Sequence, residues 1–117
     1  MGSLVRAIDL GFGHTKFTTV NASGEIRYAS FPSLALASVE PHTARPLLAP
    51  RRTVSVRVGQ LFYEVGPDVL AVGARNTPIL SVEGYTQSAD YKALMLGALN
   101  YMQADEIDVL VVGLPVS

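Results

Sequence analysis

The chain has 117 residues, 49% of them apolar and 16% charged, which is enough apolar side chain for one small core and too little length for a second full domain. Nine Lys and Arg stand against ten Asp and Glu, a formal net charge of −1, so no chain-wide field favours nucleic acid or an anionic membrane. The absence of cysteine excludes thiolate nucleophiles, disulfides and cysteine metal sites and fits a reducing compartment. No apolar run approaches the ~20 residues that span a bilayer, and Met1 to Arg6 lack the basic and apolar regions of a signal peptide. The expectation is a soluble, cytoplasmic protein with no membrane partner.

In chain order, Leu4 to Leu10 is a mostly apolar run with Asp9 near its end, the pattern of a buried strand with a polar tip. Gly11-Phe12-Gly13-His14 contains two residues that tolerate positive φ, and Thr15 to Val20 resumes with β-branched and aromatic side chains. Asn21-Ala22-Ser23-Gly24 is turn chemistry, after which Glu25 to Phe31 alternates until Pro32 ends the run. Three antiparallel strands therefore open the chain.

From Pro32 to Arg52 no periodicity persists, and Pro41, Pro46 and Pro50 break any continuous element, so this stretch is expected to be a long loop. Thr53 to Val58 alternates strictly and, after Gly59-Gln60, Leu61 to Val65 returns as a hairpin partner. Pro67 to Val72 has the signals of a short helix stopped at Gly73, and Arg75 to Gln87 is irregular. Ser88 suits a helix N-cap and Asp90 its positive end. Tyr91, Leu94, Met95, Ala98, Leu99 and Met102 then form an apolar stripe to about Gln103. Ile107 to Val112 reads as a strand buried on both faces, ending at Gly113-Leu114-Pro115-Val116-Ser117. Such a strand ordinarily leads into another covering element, so the chain reads as truncated after a buried central strand.

The chemistry concentrates at Asp9-Leu10-Gly11-Phe12-Gly13-His14-Thr15-Lys16. Two glycines let a turn approach phosphate oxygens and leave amides to donate to an anion. Thr15 adds a hydroxyl and Lys16 a point charge suited to a β- or γ-phosphate, while Asp9 can hold the waters of a Mg²⁺ on the same phosphates. The competing reading is a structural glycine hairpin with an incidental carboxylate before it and a solvated lysine after it. A Walker A loop is excluded because no Gly-Lys-Ser/Thr opens a helix, and a dinucleotide fingerprint because a strand follows.

Asp9-x-Gly11-x-Gly13-x-Thr15-Lys16 between two strands resembles the first phosphate loop of the superfamily of actins, sugar kinases and heat-shock chaperone ATPases. A three-strand opening, the Phe31-Pro32-Ser33 turn, an irregular insertion with a hairpin, a helix, and the strand ending Gly113-Leu114-Pro115 are similar to the N-terminal half of ParM/StbA-type bacterial and archaeal actin-like proteins. The resemblance implies an α/β fold of the ribonuclease H-like, actin-like kind, with a mixed twisted sheet. It implies one N-terminal domain over 1–117, with its core at 4–31 and 88–117 and a smaller insertion at 32–87. It further implies ATP and Mg²⁺ as cofactors. Asp9 would be the magnesium-associated carboxylate, Gly11, Phe12, Gly13 and His14 the backbone cradle, and Thr15 and Lys16 the phosphate contacts. His14 departs from the small residue common in such loops, so a satisfied turn histidine competes with a phosphate ligand there.

The second phosphate loop, the group that positions water and the adenosine pocket would follow Ser117, so this chain alone is expected to lack ATPase activity. The intact protein would hydrolyse ATP and self-associate into filaments that segregate plasmids through an adaptor protein on centromere-like DNA. A carbohydrate kinase or chaperone-type ATPase without filaments, and a non-enzymatic interaction module, are the alternatives. Arg45, Arg51, Arg52 and Arg57 are the one basic concentration, read either as a surface for DNA phosphate or, in preference, an acidic protein partner, or as a solvated loop whose arginines pair elsewhere. His14 and His42 give no dense metal spacing, Ser117 lacks the setting of a nucleophile elbow, and Asp105-Glu106 reads as a solvated turn.

Overall fold

The computed structural model describes residues 4–39, 52–72 and 82–113. Pro41, His42, Arg45, Pro46, Pro50, Arg51, Gly73 and the Leu114-Pro115-Val116-Ser117 ending lie outside the described residues. Three strands open the chain as expected: β1 (Val5–Leu10), β2 (His14–Val20) and β3 (Ile26–Pro32). Between β2 and β3, the Asn21 side chain accepts from the amides of Ser23 and Glu25, and Gly24 takes a φ of 84°, so the predicted turn forms from its own side chain.

The stretch expected to be only a loop contains a strand, β4 (Leu36–Ser38), which three residues were too few to signal by alternation. It pairs with β6 (Leu61–Val65), itself paired with β5 (Val54–Val58) across the Gly59-Gln60 turn, where Gly59 has a φ of 64°. The helix expected over Pro67 to Val72 is a single 3-10 turn, Val69–Val72. The segment read as irregular contains a short helix, α1 (Val82–Thr86). Helix α2 (Ala89–Met102) starts where Ser88 predicts, its Oγ accepting from the Tyr91 amide, and ends at Gln103 in the left-handed conformation.

The last strand, β7 (Val109–Gly113), pairs in parallel with β1, giving a mixed sheet in the order β3-β2-β1-β7 and a second, antiparallel sheet in the order β4-β6-β5. Burial on both faces is not seen among the described residues: there β7 has β1 as its one strand neighbour, and Val109, Leu110, Val111 and Val112 are 37–54% exposed. Its apolar run does not alternate, so both faces carry aliphatic side chains whatever covers them. Among the described residues α2 lies over one face only.

That covered face holds Ile8 and Leu10 with their register partners Phe17 and Thr15, and beyond them Phe31. Against it α2 buries Ala93, Leu94, Gly97, Ala98 and Met102, a stripe turned from the predicted one, which left out both Ala93 and Gly97. A Cβ on Gly97 would stand 2.3 Å from Val65 Cγ2, so the missing side chain is what lets β6 approach the helix. Tyr63 and Val65 thus join the same buried cluster as the first sheet, and Tyr101 packs its ring against Phe17 and Phe31. Among the described residues no helix is long and apolar enough to cross a membrane.

Candidate functional site: the hairpin between the first two strands

The strand alternation that buries Ile8 and Leu10 puts Asp9 on the opposite face of the sheet, and Asp9 pairs in register with Lys16. Directly opposed residues of an antiparallel pair have Cβ atoms roughly 4.5–5.5 Å apart on one face. Both are exposed, they form no ion pair with each other, and His14 shares their face two residues before Lys16. On the other flank Asp9 is level with Gly113 of β7, and a Cβ at Gly113 would stand 3.1 Å from Asp9 Oδ1. A glycine there clears the space beside the carboxylate.

The hairpin tip is held from within. Gly11 N–H donates to the His14 carbonyl at 3.1 Å, and the reverse bond that closes a simple two-residue hairpin is not made. Instead the Gly11 carbonyl accepts from Ser33 Oγ at 2.8 Å and from Tyr85 OH at 3.0 Å, while the Gly13 carbonyl accepts from the Ser33 amide at 2.9 Å. Ser33 Oγ also lies 3.0 Å from Thr15 Oγ1. Since the single Ser33 hydroxyl proton goes to Gly11, Thr15 is the donor in that pair. Burial pushes the Tyr85 hydroxyl pKa up, so it is a protonated donor across the neutral range. The Phe12 ring packs on Tyr85 at 5.2 Å, and Tyr85 meets Tyr91 edge-on at 5.2 Å.

One expectation needs correction, that of Thr15 as a phosphate contact. Neither Gly11 nor Gly13 takes a positive φ; a Cβ on Gly11 would lie 3.1 Å from the His14 carbonyl oxygen, so close approach within the turn is the reason for glycine there. The Thr15 hydroxyl is fully buried and turned to Ser33, so it does not face a phosphate, and it acts as a brace under the hairpin. The Gly11 amide is likewise spent within the turn. The amides of Phe12 and Gly13 meet no acceptor among the described residues. Asp9, Lys16 and His14 share the accessible face of the sheet, and the tip of the adjoining hairpin carries these two amides. Sequence reasoning named Ser33 only as part of a turn and missed Tyr85, which carried no local signal 74 residues from Gly11.

Of the arginine group, Arg52 binds Asp68, and Arg57 donates to the Gly59 carbonyl with its guanidinium 5.9 Å from the Phe62 ring centre. Both are engaged within the chain. Asp105 and Glu106 are exposed, and no cluster of three or more His, Cys, Asp or Glu that could hold a metal occurs among the described residues. A lone carboxylate at Asp9 suits a Mg²⁺ that keeps most of its waters and takes its other ligands from phosphate.

A family model described as the N-terminal domain of actin-like proteins matches residues 7–117, a span that includes the whole hairpin and β7. No curated protein shows significant similarity to the chain.

Proposed function

The chain belongs to the actin-like proteins, as their N-terminal domain, and on that premise we propose that it supplies half of a Mg²⁺-nucleotide site. The observation that carries this reading is the unpaired Asp9 and Lys16 standing opposite one another beside the two unsatisfied amides of Phe12 and Gly13. A triphosphate needs a cation, several N–H donors and a carboxylate for its metal, and those are the groups present. Lys16 and the amides would hold phosphate oxygens, and Asp9 would hold Mg²⁺ through water. The metal ion when bound neutralises phosphate charge. His14 lies on the same face and would line the site.

In the intact protein the proposed activity is ATP-dependent polymerisation with ATP hydrolysis, serving plasmid segregation through an adaptor on centromere-like DNA. The 117-residue chain by itself, holding one side of the clamp, is not proposed as an ATPase. The test is ultracentrifugal pelleting of the full-length protein with Mg·ATP against Mg·ADP. Pelleting that requires ATP supports the filament reading. Binding without pelleting moves the proposal to a kinase or chaperone-type ATPase, and no binding of either nucleotide overturns it.

A further inference from the structure

We propose that Ser33 and Tyr85 are positioning residues of the nucleotide site, an inference that rests on the phosphate-binding reading of the hairpin. They touch no ligand. Their two hydroxyls converge on one atom, the Gly11 carbonyl oxygen, at 2.8 and 3.0 Å.

The covalent geometry of the peptide makes that atom decisive. Gly11 C=O and Phe12 N–H belong to one peptide unit, and the chain has no cis bond among its described residues, so the two point in opposite directions. Drawing the carbonyl toward the buried Ser33 and Tyr85 therefore turns the Phe12 amide to the other side, away from the core. Two peptide units on, the Gly13 carbonyl is likewise held, accepting from the Ser33 amide. A carbonyl that accepts two hydrogen bonds also polarises its own N–H, making the Phe12 amide a stronger donor to an anion.

The supporting layer is locked in its turn. Ser33 and Tyr85 are each 8% exposed and Thr15 is fully buried, so the donors have few alternatives to their present partners. The Thr15 hydroxyl donates to Ser33, which leaves the Ser33 proton for Gly11. Tyr85 is fixed by the Phe12 and Tyr91 rings, and Ser88, the N-cap of α2, donates to the Tyr85 carbonyl at 2.6 Å. The hairpin is thus tied to α1 and to the start of α2 as well as to its own sheet.

The experiment exploits the single Gly-Phe dipeptide in these 117 residues. Labelling the chain with carbonyl-¹³C glycine and ¹⁵N phenylalanine gives one NMR signal that reports the Gly11-Phe12 peptide, followed while Mg²⁺ and inorganic triphosphate are added. Tyr85→Phe removes one oxygen and keeps the ring; Ser33→Ala removes the other. The expectation is that each variant moves the signal before ligand is added and raises the dissociation constant about three- to tenfold, the range for one lost hydrogen bond. Should Ser33→Ala fail to fold, Tyr85→Phe carries the test alone. A wild-type response that both variants keep, with unchanged affinity, overturns the inference and leaves the phosphate reading standing. Absence of any wild-type response overturns the phosphate reading and this inference with it.

Discussion

Val65 on β6 and Gly97 on α2 are in contact so close that a methyl group on Gly97 would come within 2.3 Å of Val65 Cγ2. The second sheet is fastened to the helix at this point, and Val65 is fully buried there. In an exposed helix Gly97→Ala would gain about 1 kcal/mol of propensity. Here the added methyl overpacks a stiff β-branched neighbour, at a cost of about 1–3 kcal/mol. Gly97→Ala should therefore lower the urea midpoint, and Val65→Ala in the same chain should restore part of the loss. A double-mutant cycle with no coupling would show that the helix and strand adjust independently.

Asp9 and Lys16 are exposed and make no ion pair with each other, so their removal touches chemistry and leaves packing alone. Asp9→Ala and Lys16→Ala should each change unfolding free energy by less than about 0.5 kcal/mol. In the full-length protein the same substitutions should abolish ATP turnover. Turnover at the wild-type rate in both variants would remove these residues from the proposed site.

Ser88 holds two partners with one oxygen, accepting from the Tyr91 amide at 3.1 Å and donating to the Tyr85 carbonyl at 2.6 Å. Ser88→Ala should cost about 1 kcal/mol for the cap alone, read as a lower thermal midpoint. Ser88→Asp keeps the acceptor for Tyr91 and loses the donor to Tyr85. It is expected to recover only part of the loss, and full recovery would mean that the Tyr85 contact contributes nothing.

Asp68 accepts from the Arg52 amide and then from its guanidinium, and those bonds hold its carboxyl below the ordinary value of 3.8. A carboxyl with a lowered folded pKa stabilises the fold above its unfolded pKa and loses that contribution as pH falls through the folded one, so the loss belongs below about pH 4. Asp90 acts with the opposite sign, because burial raises its pKa and acidification relieves that cost. Asp68→Asn should therefore shrink the drop in thermal midpoint between pH 5 and pH 2.5. An unchanged drop would assign the acid sensitivity to other groups.

Much of the fold was legible because its signals are local. Asn21 builds its own turn, Ser88 caps its own helix, and the alternation of Thr53 to Val58 already separates the two faces of β5. Elements that exist through a distant partner were missed or misread. β4 is three residues long and owes its conformation to pairing with β6, and the stripe on α2 is centred where Val65 allows it. β7 reads as buried from its unbroken aliphatic run, yet burial depends on what lies beside it, and among the described residues only β1 does.

The same division runs through the site. That a carboxylate and a lysine flank a glycine hairpin is legible along the chain, because strand alternation and turn chemistry need only neighbours a few residues away. The sequence also carried enough of that pattern to resemble the family to which the chain belongs. The inward turn of Thr15, and the drawing of the hairpin carbonyl toward the core by Ser33 and Tyr85, 22 and 74 residues from Gly11, follow from the packed fold alone. The reason is that a hydrogen bond is satisfied by whichever donor the packed chain brings within about 3 Å, and no local rule names that donor in advance.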